Sequence, residues 1–242
     1  MPARSADRAD GDAGDAEPSE LGRPAPAFAR PHHEPLPLIP EAVRDERMSH
    51  IVLDISRLIS RVRHFTPSGV DRVEMAYARG LLARYGDDLA FAAVHPGGAY
   101  GRLRRHAAIA YLDHLDNRWA ADSGQRGQLS LTAVSPWMAR LVPRAEGVGT
   151  GKVLVQVSPH HLHLESKVRR KLAREQARFV CMVHDLIPIE FPEYARPGGA
   201  LLHARRMETV SKLADAIIVN SEATAVSLNS WIEGRSRTVP AI

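Results

Sequence analysis

Apolar and polar positions change rhythm along the chain, and the changes mark alternating strands and helices. "HIVLD" (50–54) is a short β-branched run. A polar, basic loop then leads through "TPSG" into "VDRVEMAYARGLLARY", where Val73, Tyr77, Leu81 and Ala78, Leu82, Tyr85 recur at helical spacing. "LAFAAVH" reads as the next strand. Between 97 and 150 the pattern is weaker: a helix is expected around 104–113, a Gly/Gln-rich break follows, and in "SPWMARLV" Ser135 stands where it would cap a short helix with Pro136 at its first position. The second half is sharper. "GKVLVQVS", "RFVCMVH" and "DAIIVN" predict strands. "LESKVRRKLAREQ", with Leu164, Val168 and Leu172 on one face, "GALLHARRMETVSKLA" and "EATAVSLNSWI" predict helices.

Strands that are apolar on both faces and alternate with helices imply a parallel sheet covered on both sides, so the expected class is α/β, a single Rossmann-like doubly wound sheet of six or seven strands. The expected domain spans 48–242. Residues 1–47 differ from it: they hold 8 of the 17 prolines, 10 acidic and 6 basic residues, and almost no apolar periodicity. They read as a disordered extension, with Met48 as a natural start ahead of the first strand. The closing "SRTVPAI" looks like the beginning of another strand.

A net charge of +4 and 5% aromatic content argue against a nucleic-acid binder, which needs a basic face and stacking platforms. Of 32 basic residues only four are lysines, a skew that suggests a GC-rich bacterial genome. Cys181 is the single cysteine, so no intrachain disulfide exists and a reduced cytoplasm is the natural setting; its apolar neighbours mark it as a structural thiol. No apolar run reaches the ~18 residues of a membrane span, so any membrane contact is expected to be peripheral, at the inner face.

In an open parallel sheet, ligands gather beyond the carboxyl ends of the strands. The loop after the first strand carries Arg57, Arg61, Arg63, His64, Ser68 and Gly69; a glycine before a helix lets backbone amides approach an anion, and arginines offset phosphate charge. In "VHDLIPIEFPEY" His184 follows a buried strand and is placed to bond a hydroxyl or exchange a proton, while Asp185 accepts from a hydroxyl or caps the following turn. A histidine held by backbone carbonyls explains the same pattern. Ser221 in "NSEAT" is a candidate N-cap at the same edge. "SPHHLHLE" clusters His160, His161 and His163, but without a second ligand motif a metal is not expected. The basic helix from Lys167 to Arg178 reads as a solvated face, or as one that rests on anionic lipid headgroups.

"VHDLIPIEFPEYARPG", "HARRMETV" and "ADAIIVNSEAT" resemble the N-terminal half of bacterial retaining glycosyltransferases of GT-B fold, family 4 or group 1; "DISRLISR" followed by "TPSGVDRVEMAYARGLL" is similar to the opening of a subgroup found near polysaccharide genes. The resemblance covers 51–85 and about 152–233. It implies an acceptor-side domain that faces a second, donor-binding domain. By this likeness Gly69, with Ser68 and Arg57 beside it, approaches the donor diphosphate, His184 and Asp185 are the catalytic candidates, and Ser221 shapes the acceptor side. His161 matches a strand-end histidine of the family, although "VSPHHLHLE" lacks the expected glycine.

The implied substrates are a nucleotide-sugar donor and a glycan or lipid-linked acceptor, with no cofactor and no metal. The family's paired glutamates, eight positions apart, have no counterpart, because Glu165 and Glu175 are ten apart on the basic helix. The chain therefore reads as a truncated or split enzyme of polysaccharide biosynthesis, whose partner is a complementary C-terminal domain chain. The alternative is an inactive Rossmann-like remnant that binds glycan or protein.

Overall fold

The computed structural model describes residues 51–121, 127–144 and 152–233. The extension 1–47, the start at Met48 and the strand expected at "SRTVPAI" lie outside the described residues. β1 (Ile51–Asp54), β2 (Leu89–Val94), β3 (Tyr100–Arg102), β4 (Lys152–Gln156), β5 (Ala177–Val183) and β6 (Ala216–Val219) form one sheet in the order β3-β2-β1-β4-β5-β6. All neighbours run parallel except β2 and β3, which pair antiparallel. The chain is thus α/β with a Rossmann-like sheet, and one strand corrects the all-parallel expectation. β3 has only three residues, too few to show a hydrophobic period.

Helices cover both faces. Val52, Leu154, Phe179, Cys181 and Ile217 share one core with Val168 of α5 (Glu165–Glu175), Met207 and Val210 of α7 (Gly199–Leu213) and Leu228 of α8 (Glu222–Ile232). Leu53 and Phe91, the strand neighbours of Val52 and Ala92, point to the opposite side because strand side chains alternate. There the sheet meets α1 (Ser56–Ser60), α2 (Gly69–Tyr85) and α3 (Arg105–Ala120). Tyr111 of α3 is wholly buried, and its hydroxyl donates to the Leu58 carbonyl at 2.8 Å. Cys181 is buried in the first core, which pushes its thiol pKa up and suits a structural role.

Two helices differ from their sequence patterns. The helix around Trp137, α4 (Leu131–Arg140), begins earlier than Ser135: Ser130 is the cap, accepting from the Ala133 amide at 3.2 Å, and Pro136 lies inside. Proline cannot donate to the Thr132 carbonyl four residues back. The Ser135 hydroxyl donates to that carbonyl instead, at 2.9 Å. In α2 the buried stripe is Asp71, Glu74, Met75, Ala78 and Leu81, whereas Val73 and Tyr77 are only half-buried. Two carboxylates therefore occupy positions that periodicity alone would give to apolar side chains.

Gly101 of β3 lies against the 144 segment, where Arg144 donates its amide to the Arg102 carbonyl at 2.7 Å. A Cβ on Gly101 would fall 2.4 Å from the Arg144 carbonyl oxygen. Gly101→Ala is expected to lower unfolding stability by about 1–3 kcal/mol in urea titration, the usual range for forced overpacking. Unchanged stability would contradict this close approach.

Candidate functional site

Five parallel strands, β1, β2, β4, β5 and β6, end at the same edge of the sheet, and the loops that follow β1, β4, β5 and β6 carry the polar side chains. β1 and β4 are the neighbours between which the strand order reverses, the usual position of a ligand crevice. Asp54, the last residue of β1, is 1% exposed and pairs with Lys171 Nζ of α5 at 2.5 Å. The Ser56 hydroxyl donates to Asp54 in a short hydrogen bond, and its oxygen accepts the Val94 amide at 2.8 Å, which ties the end of β2 to β1. Burial works against the Asp54 charge. The Lys171 ammonium and the bonds from Ser56 outweigh it and hold this carboxyl below its ordinary pKa.

Gln156, at the end of β4, accepts from Lys171 at 3.4 Å and donates to the carbonyls of Ser158 and His160 at 3.0 and 2.7 Å. This fixes the turn that presents His160 and His161, whose rings stand 3.9 Å apart. His161 adopts a left-handed φ of 64°, which a non-glycine residue takes only where its surroundings demand it. Burial and then the neighbouring imidazole push His160 down to about 4. Burial and then Lys171 do the same to His161. Both rings are therefore neutral at physiological pH, and among the described residues the buried Nδ1 of His161 has no hydrogen-bond partner.

On the other side of the crevice Ser68 caps α2. Its hydroxyl accepts from the Asp71 amide, and the Asp71 carboxylate accepts from the Ser68 amide at 2.7 Å, a reciprocal capping box. Asp71 also pairs with Arg57 at 2.6 Å and Arg61 at 3.0 Å. Burial would raise its pKa, but the Ser68 hydrogen bonds and Arg57 hold it below the carboxylate range. One turn on, Glu74 is fully buried, and among the described residues neither carboxyl oxygen has a hydrogen-bond partner of ordinary geometry. Burial lifts Glu74 to about 8; the nearby negative charges of Asp54 and Asp71 add to the rise. The Ser158 hydroxyl opposes it without a hydrogen bond of ordinary geometry. At neutral pH the site thus combines two ionised aspartates with one protonated glutamic acid.

Each residue expected from the sequence is at this edge, though several have structural duties. Arg57 donates to Asp71 and, at 3.0 Å, to the Ser68 hydroxyl, so its charge is already shared. Gly69 is the first residue of α2; a Cβ there would meet nothing within 4 Å, and its φ is not left-handed, so neither packing nor backbone demands glycine. His184 bonds the Val157 carbonyl through Nε2 at 2.8 Å, which steadies the β4 loop. The Asp185 carboxylate does not cap the next turn, α6 (Ile187–Glu190), which has no side-chain cap; the residue's backbone carbonyl instead bonds His203 at 2.9 Å. Ser221 caps α8 by accepting from the Thr224 amide at 3.1 Å, and Thr224 donates to the His184 carbonyl, joining β5 to α8.

Glu74, Lys171, Gln156 and Arg206 were not singled out from the sequence, and His160 only as part of the histidine cluster in "SPHHLHLE". Arg206 of α7 lies within electrostatic reach of Arg57, and both burial and that like charge lower its pKa. Its Nε is buried and has no hydrogen-bond partner among the described residues. The readable signal for Glu74 and Lys171 was a charge three or four positions from apolar residues on a core-facing stripe. Arg206, His160 and Gln156 carry no such signal. Among the described residues no group of three His, Cys, Asp or Glu side chains is placed to hold a metal ion, and no helix is long and apolar enough to cross a membrane.

The Glu74 carboxyl titrates higher in the folded than in the unfolded chain, so its contribution to stability is full below about 4.5 and is lost as pH rises toward about 8. Glu74→Gln, permanently neutral, should match the parent near pH 4.5 and exceed it by roughly 4 kcal/mol at pH 8, measured by urea unfolding at both pH values. A stability difference that does not grow with pH would contradict a buried, protonated acid. No family model, curated protein or solved structure matches the chain.

Proposed function

We propose that this domain is the acceptor-side half of a glycosyltransferase that moves a sugar from a nucleotide-sugar donor to a glycan or lipid-linked acceptor, working in the cytoplasm at or near the inner membrane face. The single observation that carries the reading is the convergence of groups suited to a phosphorylated sugar on one edge of the sheet, at its switch point. Arg57 and Arg206 supply positive potential there, the neutral His160 and His161 offer uncharged nitrogen donors and acceptors, and Gly69 leaves open space beside the start of α2.

Uncharged imidazoles suit hydroxyl recognition, because each ring nitrogen is a fixed donor or acceptor without a counter-ion. Exposed amides at a helix start favour a phosphate. His184 then acts through its grip on Val157, positioning the β4 loop, and its remaining ring nitrogen is the group available for a sugar hydroxyl. Asp185 and Ser221 line the acceptor side in this reading. Donor binding rests largely on a facing lobe, since transfer depends on positioning and on stabilising the leaving diphosphate from both sides.

Gly69→Ala separates ligand approach from folding. With open space around the new Cβ, the variant should unfold at the parent's temperature or slightly above, since alanine is favoured over glycine in a helix. Saturation-transfer NMR with nucleoside diphosphates, nucleotide sugars and oligosaccharides should show contact with the parent chain and about a tenfold weaker nucleotide response in the variant. No saturation of any saccharide or nucleotide by the parent would overturn the reading, as would an unchanged nucleotide response in Gly69→Ala.

A further inference from the structure

α5 places Lys167, Arg170, Lys171 and Arg174 at positions i, i+3, i+4 and i+7, which is one face of a helix. That face borders a cavity of about 360 Å³ closed on its other side by Val94 and Tyr100, at the turn between β2 and β3. The volume is within the range of small-molecule sites. No carboxylate lines it. Of the nearby acids, Asp54 is occupied by Lys171 and Glu175 by Arg102, at 2.5 and 2.9 Å, with the Tyr100 hydroxyl donating to Glu175 at 3.4 Å. Arg170 Nε donates to the Ser166 carbonyl of its own helix, and among the described residues Lys167 and Arg174 have no ion-pair partner.

Holding like charges on one face costs free energy, because like-charged side chains at helical i, i+4 spacing destabilise by a few tenths of a kcal/mol each. A solvated basic face needs no cavity against it and no aromatic wall. Here the charges converge on a half-open cavity, and Tyr100 also fixes the innermost of them, its ring centre lying 5.4 Å from Lys171 Nζ. We infer that the cavity between α5 and the β2–β3 turn is a binding site for a small ligand carrying adjacent phosphoryl groups, a diphosphate. Successive cations on the helix stand about 5–6 Å apart, so two turns address two neighbouring phosphoryl groups. Lys167 and Arg174 bind at the two ends, Arg170 bridges them, and Val94 with Tyr100 forms the apolar wall for whatever the diphosphate carries. The inference does not depend on the transferase reading: it concerns another cavity, and of its residues Lys171 also serves the crevice, whereas the proposed binding groups Lys167, Arg170 and Arg174 do not.

The test is calorimetric titration of the full chain with inorganic diphosphate at physiological ionic strength, where surface pairing is screened. The parent should bind saturably. Lys167→Gln with Arg174→Gln should weaken binding about tenfold or more without changing the unfolding temperature, since neither side chain is paired. Arg84→Gln with Arg178→Gln, which removes the same charge from exposed positions elsewhere, should stay within about twofold of the parent. The inference is overturned if the parent shows no saturable binding or if both double variants weaken it equally. It is also overturned if phosphatidylglycerol vesicles bind through these residues while free diphosphate does not, which would make the face a membrane contact.

Discussion

An aspartate at the end of a central strand, sealed from water, is unfavourable unless a cation meets it, and the carboxyl edge of this sheet is arranged around that requirement. Lys171 supplies the cation from α5, and once it is there the other groups have fixed duties: Ser56 bridges Asp54 to the Val94 amide, and Gln156 joins Lys171 to the turn at Ser158 and His160. Three adjacent strand ends, β2, β1 and β4, are thereby held by one network. A buried pair of this kind often contributes little net stability compared with an apolar pair, but removing one partner leaves a stranded charge. Its value here is positional.

The same burial sets the protonation pattern of the crevice. Asp54 and Asp71 both have cations and hydrogen bonds directed at them and stay ionised, whereas for Glu74, one turn from Asp71, burial outweighs the opposing pull of Ser158 and Arg57 and the carboxyl keeps its proton. The two histidines of the β4 turn lose theirs for the complementary reason, since burial and nearby positive charge disfavour imidazolium. The result is a rim with positive potential from Arg57 and Arg206 around uncharged donors and acceptors, a setting suited to a ligand that pairs an anionic part with hydroxyls.

Most of the fold was legible because the strands of a doubly covered sheet announce themselves. Runs such as "KVLVQ", "RFVCMV" and "AIIV" are apolar at consecutive positions, and α8 matches its predicted extent, Ser221 cap included. β3 was hidden by its length, and α4 by a proline that normally opens a helix but here lies inside one with a serine hydroxyl replacing its missing donor. The site was legible only as an edge. Loops after strands gave Arg57, Gly69, His184 and Ser221 their place, yet what each touches depends on partners distant in the chain: Lys171 is 117 residues from Asp54, and Val157 is 27 from His184. A helix that periodicity describes as a solvated basic face also buries one of its lysines completely, and only the tertiary partner explains that.

The central claim is that Asp54 and Lys171 act as one unit that holds the strand ends in place. A double-mutant cycle with Asp54→Asn, Lys171→Met and the combined variant, followed by urea unfolding, measures it directly. Lys171→Met alone is expected to be the more damaging change, and the double variant is expected to recover much of the loss, with a coupling of about 2 kcal/mol or more. Additive losses, with no recovery in the double variant, would show that the two side chains do not depend on each other and would contradict the account.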